Sequence, residues 1–142
     1  MELSQIASQL RLMQLFYHNC HNLVGRQSFF SDHDAFSSFY TEMESEYDGV
    51  AERIVGLFGT HALDVKKQIQ DIATRLQQLP CSDAKNNKVY FDKALVLEQE
   101  LCAGLDAKIK DPKTTEGTRD MLASLASASE VRQYKLKQRV MV

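Results

Sequence analysis

The chain has 142 residues, 44% of them hydrophobic and 25% charged, which predicts one ordinary globular domain spanning residues 1–142 with apolar mass enough for a core. A net charge of −2 and a pI near 6.1 exclude an overall positive field of the kind that draws proteins onto nucleic acid or anionic membranes. The opening MELSQIASQLRLMQLF lacks the basic-then-apolar layout of a signal peptide, and no stretch approaches the roughly 18 uninterrupted apolar residues of a membrane span.

Apolar residues recur at three- and four-residue intervals almost throughout, and only Pro80 and Pro112 interrupt them, so an all-α fold is expected. The first helix, about Leu3 to Val24, carries the stripe Leu3, Ile6, Leu10, Met13, Tyr17, Cys20 and Val24 and ends at Gly25. GRQSFFSD then turns, with Ser31 or Asp32 as the expected cap of the next helix. That second helix runs to about Phe58 on the stripe Phe36, Phe39, Met43, Tyr47, Val50, Ile54 and Leu57, with Gly59 closing it. At about 27 residues, or about 40 Å, it is long for a globular helix.

The third segment, about His61 to Leu79, is amphipathic through Val65, Ile69, Ile72 and Leu76 and stops at PCSDAKNNK. A fourth carries Phe91, Leu95, Cys102, Leu105 and Ile109 to KDPKTTEG, and the last runs from about Thr115 to Arg139 with a basic end. Four long helices and a shorter middle one predict a ferritin-like four-helix bundle, with the short helix in the long crossover between bundle helices 2 and 3. The three cysteines form no CxxC pair; they read as small buried hydrophobes in a reducing, cytoplasmic setting.

Within the second helix Asp48 and Glu52 stand four residues apart, and at 100° per residue they lie roughly 120° to 160° from the centre of the apolar stripe. They face away from their own bundle, as ordinary surface acids do. Val55 and Ala51 flank them, however, and Leu12, Leu15 and Leu23 lie off the first helix's stripe, an apolar surface that another subunit would cover. His21 and His33 stand twelve residues apart across the first turn; each alone reads as a cap or surface residue, but imidazole with carboxylate makes a mixed site suited to Fe(II) and other divalent ions. His18 and His61 have no such partner and read as structural. No HExxH, Walker loop, GxGxxG, nucleophile elbow or Glu-x-x-His pair is present.

In order and spacing, His21, Phe29-Phe30, His33, Phe36, Tyr40, Asp48 and Ala51-Glu52-Arg53 resemble the signature of the Dps mini-ferritins, the DNA-protection-during-starvation family. The resemblance implies a homododecamer that oxidises iron with hydrogen peroxide or dioxygen at sites between subunits, the histidines from one chain and the carboxylates from its two-fold neighbour. Glu52 would bridge, with Asp48, His21 and His33 completing the site, and ferric mineral would fill the hollow interior. Asp111, Glu116 and Asp120 would line an iron-entry pore, or serve as turn and cap residues. The chain departs from the pattern at Asn22, where the family has Trp, and at Ser37, where a further acid is usual. The site would then draw on fewer carboxylates, or on Asp34 or Glu44. DNA binding, the family's second activity, usually rides on a lysine-rich tail; the basic residues here cluster instead at Arg132, Lys135, Lys137 and Arg139. The alternative is a non-enzymatic helical shell or adaptor that keeps the shape and has lost the iron site.

Overall fold

A computed structural model describes residues 1–141. Its α-helices are α1 (Leu3–Leu23), α2 (Phe29–Phe58), α3 (Val65–Leu76), α4 (Asn87–Lys110) and α5 (Glu116–Val140), with a turn of 3-10 helix at Thr60–Ala62. Helices α1 and α2 form one hairpin and α4 and α5 another; α1 packs on α4 to join them, and α3 lies in the crossover against α1. This is the ferritin-like bundle expected from the periodicity. No described helix is long and apolar enough to cross a membrane.

The stripe of α1 is buried along its whole length, and that of α2 is buried from Phe36 to Ile54. Leu57 departs from expectation at 46% exposure, because it lines an open pocket with Leu3, Phe58, Ala62 and Thr115 instead of being covered by them. Leu12 and Ala51, expected on an open surface, are covered within the chain, whereas Leu15 and Leu23 are exposed. Helix α3 also differs: Val65 and Ile69 are 51% and 52% exposed, and the inward face carries Gln68 and Ile72. The polar residue sets this rotation, since Gln68 accepts a 3.1 Å hydrogen bond from the buried Tyr47 hydroxyl. Arg75 then ties α3 to Gln9 of α1 and to Glu100 of α4.

The expected cap at Ser31 or Asp32 is not formed. Helix α2 starts three residues earlier behind Ser28, and the Asp32 carboxylate is buried in an ion pair with Arg139 at 3.1 Å and a 2.9 Å hydrogen bond from Asn87, which leaves nothing to cap with. Gly59 does close α2 at φ +92°, a conformation glycine adopts without strain. Of the cysteines, all unpaired, only Cys20 is fully buried; Cys81 is exposed and Cys102 half-buried.

A charged network sits inside the bundle. Glu98, 0% exposed, accepts hydrogen bonds from Tyr17 Oη at 2.9 Å, Ser129 Oγ at 2.6 Å and Arg132 Nε at 2.6 Å. Arg132, 1% exposed, also donates to Glu46 at 2.7 Å and lies 3.6 Å from Glu42. Burial alone would lower the Arg132 pKa, but Glu98 and Glu46 more than offset it and hold the cation charged. Arg132 is therefore an internal strut and the half-buried Arg139 is tied to Asp32, so the fully exposed members of the basic cluster expected at this end of the chain are Lys135 and Lys137.

Burial pushes the Glu46 carboxyl from 4.5 up to about 7, against the opposing pull of Arg132. The folded chain keeps a proton there that the unfolded chain releases, so this stabilisation is present at low pH and is lost as pH rises from 4.5 to about 7. Glu46→Gln, which cannot ionise, should gain stability relative to wild type between pH 5 and pH 8. The gain is roughly 3 kcal/mol at most, read from denaturant midpoints at the two pH values.

Candidate metal centre at the first helix corner

The corner between α1 and α2 is tightly held. Arg26 and Ser28 both adopt left-handed backbone, φ +62° and +68°, an unusual conformation for side chains of their kind. Asn87 at the start of α4 clamps the turn: its Oδ1 accepts from the Gly25 N–H at 3.1 Å, and its Nδ2 donates to the Gly25 carbonyl and to Asp32, each at 2.9 Å. Sequence spacing gave no sign of this brace, 62 residues away.

The corner brings His21, in the last turn of α1, against His33, early in α2. Their rings stack with centroids 3.6 Å apart. His21 Nδ1 lies 2.9 Å from the His33 carbonyl, and His33 Nδ1 lies 2.7 Å from the His21 carbonyl. A carbonyl only accepts, so both Nδ1 atoms carry the proton when the rings are neutral, and both Nε2 atoms present free lone pairs. A backbone partner that fixes the tautomer and ring plane in this way is the usual second partner of a metal-binding histidine. Phe29 stacks on His33 at 4.9 Å and closes one side.

Tyr40 meets His21 edge-on at 5.4 Å and stacks against His18 at 4.3 Å, with His18 and His21 centroids 6.2 Å apart. His18 thus has the partner that spacing along the chain concealed, because Tyr40 comes from the other helix of the hairpin. His61 lies exposed in the 3-10 turn, away from the corner.

Asp48 and Glu52 are exposed on α2, and neither forms a salt bridge among the described residues. Because α2 is continuous, they lie about 22 Å and about 28 Å along the axis from His33. One chain therefore does not bring the four expected ligands together, and among the described residues no three His, Cys, Asp or Glu side chains converge on a common point. Ser37 is half-buried, and Asp34 and Glu44 are exposed.

The junction of α4 and α5 holds the other three acids. Asp111 accepts from Lys108 and from the Lys113 N–H, and Glu116 pairs with Arg119, so both act locally as turn and end-of-helix residues; Asp120 is exposed without an ion pair among the described residues.

No protein-family profile matches the chain. It is 26% identical over 126 residues to general stress protein 20U of Bacillus subtilis, covering 89% of this chain and 86% of that protein. It is also 28% identical over 101 residues to a nutrient stress-induced DNA-binding protein of Nostoc sp., covering 71% of this chain and half the length of that one. Among solved structures it matches Dps from Microbacterium arborescens in its high iron form, with a TM-score of 0.68 and 17% identity over 99% of this chain and 90% of that one. The chain is thus similar to stress proteins along most of its length and shares the ferritin-like fold of that Dps structure over nearly all of it.

Proposed function

We propose that the chain is an iron-handling mini-ferritin that oxidises Fe(II) with hydrogen peroxide or dioxygen at sites shared by two copies, and stores the ferric product inside a homododecamer. The observation that carries this reading is the reciprocal tie of the half-buried His21 and His33 to each other's backbone, which leaves both Nε2 lone pairs free of a hydrogen-bond partner among the described residues. Asp48 and Glu52, exposed and without an ion pair among the described residues, lie far along the same rod as the complementary half-set, and a two-fold neighbour is what would deliver them. Imidazole accepts Fe(II), while the hard carboxylate oxygens favour the Fe(III) product and so ease electron loss. Two ferrous ions each give one electron to a peroxide, which leaves as two waters after taking two protons; one oxidant and its reductant are thereby removed together. Asp120, with Asp111 and Glu116 nearby in sequence, is the candidate lining of an iron-entry path.

The three unpaired thiols fit a reducing compartment, and we place the protein in the cytoplasm. DNA binding, which the name of one relative carries, would rest here on Lys135 and Lys137, since the two arginines are engaged in ion pairs with acids of α2 and α4. The rival reading, a shell without iron chemistry, is favoured by Ser37 at the position of a usual acid. Anaerobic Fe(II) followed by peroxide separates the two: a fast rise in ferric absorbance, from a particle whose light-scattering mass is about twelve subunits, is expected. A monomeric particle, or oxidation no faster than in buffer, would refute the iron-handling reading.

A further inference from the structure

We propose that His18 and His21 form a second, intrachain clip for a borderline divalent cation such as Zn(II), and that this ion competes with iron for His21. The two residues are three apart on the last turns of α1, so they project from one face. An ion held at about 2.0–2.1 Å by two ring nitrogens puts the ring centres roughly 5–6 Å apart, and the observed 6.2 Å separation is within a small side-chain rotation of that. Tyr40 sets the spacing: His18 lies flat on its ring and His21 meets its edge, so both imidazoles are braced without using a ring nitrogen. His18 is exposed, its ring nitrogens have no hydrogen-bond partner among the described residues, and His21 Nε2 is free because Nδ1 is engaged.

The chemistry of the donors selects the ion. Imidazole without a carboxylate suits Zn(II), Ni(II) and Cu(II) better than Mg(II), Ca(II) or Mn(II), and water fills the remaining positions. With serine at position 37, no carboxylate joins two histidines in a donor cluster among the described residues, so nothing within the described chain tilts the ion back toward a harder metal. A redox-inert ion in this clip occupies His21 and halts electron transfer from iron there, so zinc acts as a brake. This braking role rests on His21 being an iron ligand; the clip itself does not.

The test uses Zn(II) alone, followed by calorimetry on the assembled protein, with Co(II) as a spectroscopic stand-in. His18→Phe keeps the ring against Tyr40 and removes the nitrogens, so it separates ligation from packing. Losing even an outer partner of a metal ligand costs roughly 10–100-fold in affinity, so His18→Phe and His21→Phe should each weaken Zn(II) by at least about tenfold. His61→Phe, exposed in the 3-10 turn away from the corner, should leave it nearly unchanged. Zn(II) should slow iron oxidation in wild type and much less in His18→Phe. Equal Zn(II) affinity in wild type and His18→Phe would overturn the clip. A clip that binds zinc in a protein that never oxidises iron would keep this inference and refute the function proposed above.

Discussion

Replacing both Asp48 and Glu52 by alanine is expected to cut peroxide-driven Fe(II) oxidation by more than about a hundredfold, since two direct ligands are lost where one outer partner alone costs roughly 10–100-fold. Stability should stay within about 0.5 kcal/mol of wild type, because both side chains are exposed and alanine is the best helix former. The stronger form of the experiment mixes subunits. Chains carrying His21→Phe with His33→Phe have intact acids, and chains carrying Asp48→Ala with Glu52→Ala have intact histidines. In a two-fold pair of the two kinds, one shared site is doubly damaged and the other is whole. Random co-assembly of equal amounts should therefore restore about a quarter of wild-type sites, from two populations that are each inert. No recovery on mixing would mean that histidines and carboxylates do not meet across a subunit boundary.

The second large effect is structural. Arg132→Met should destabilise the fold by about 3–5 kcal/mol, measured from denaturant midpoints, because it leaves Glu98 charged, wholly buried and short of its cation. Glu46 suffers less, since it lies nearer the surface and its carboxyl already takes up a proton at about 7. Combining Arg132→Met with Glu98→Leu should recover much of the loss, as removing both members of a buried pair is usually far milder than removing one. A loss under about 1 kcal/mol in the single variant would show that water reaches Glu98 and that the network is not sealed.

Helix positions were legible in the sequence because the first two helices keep their apolar residues on a single stripe, and every residue from Leu3 to Val24 assigned to the first stripe is buried. Periodicity fails where polar residues face inward. It treats Glu98, Arg132 and Gln68 as surface groups, although each is buried with a partner on another helix. It likewise reads Asp32 as a local cap when its partners are 55 and 107 residues away. At the site, the His21–His33 spacing and the outward direction of Asp48 and Glu52 could be read from order alone. The crossed Nδ1 contacts and the Tyr40 stack on His18 could not, because they depend on how sharply the Gly25 turn folds one helix onto the other.

The unbroken rod of α2 has a consequence for when iron chemistry can begin. On the proposed reading, a lone subunit carries two half-sets of donors too far apart to cooperate, so a newly made or diluted protomer is chemically silent. Reactivity then switches on by mass action, only once enough copies accumulate to meet. A cell making this protein would generate oxidising capacity and the container for its product in the same event.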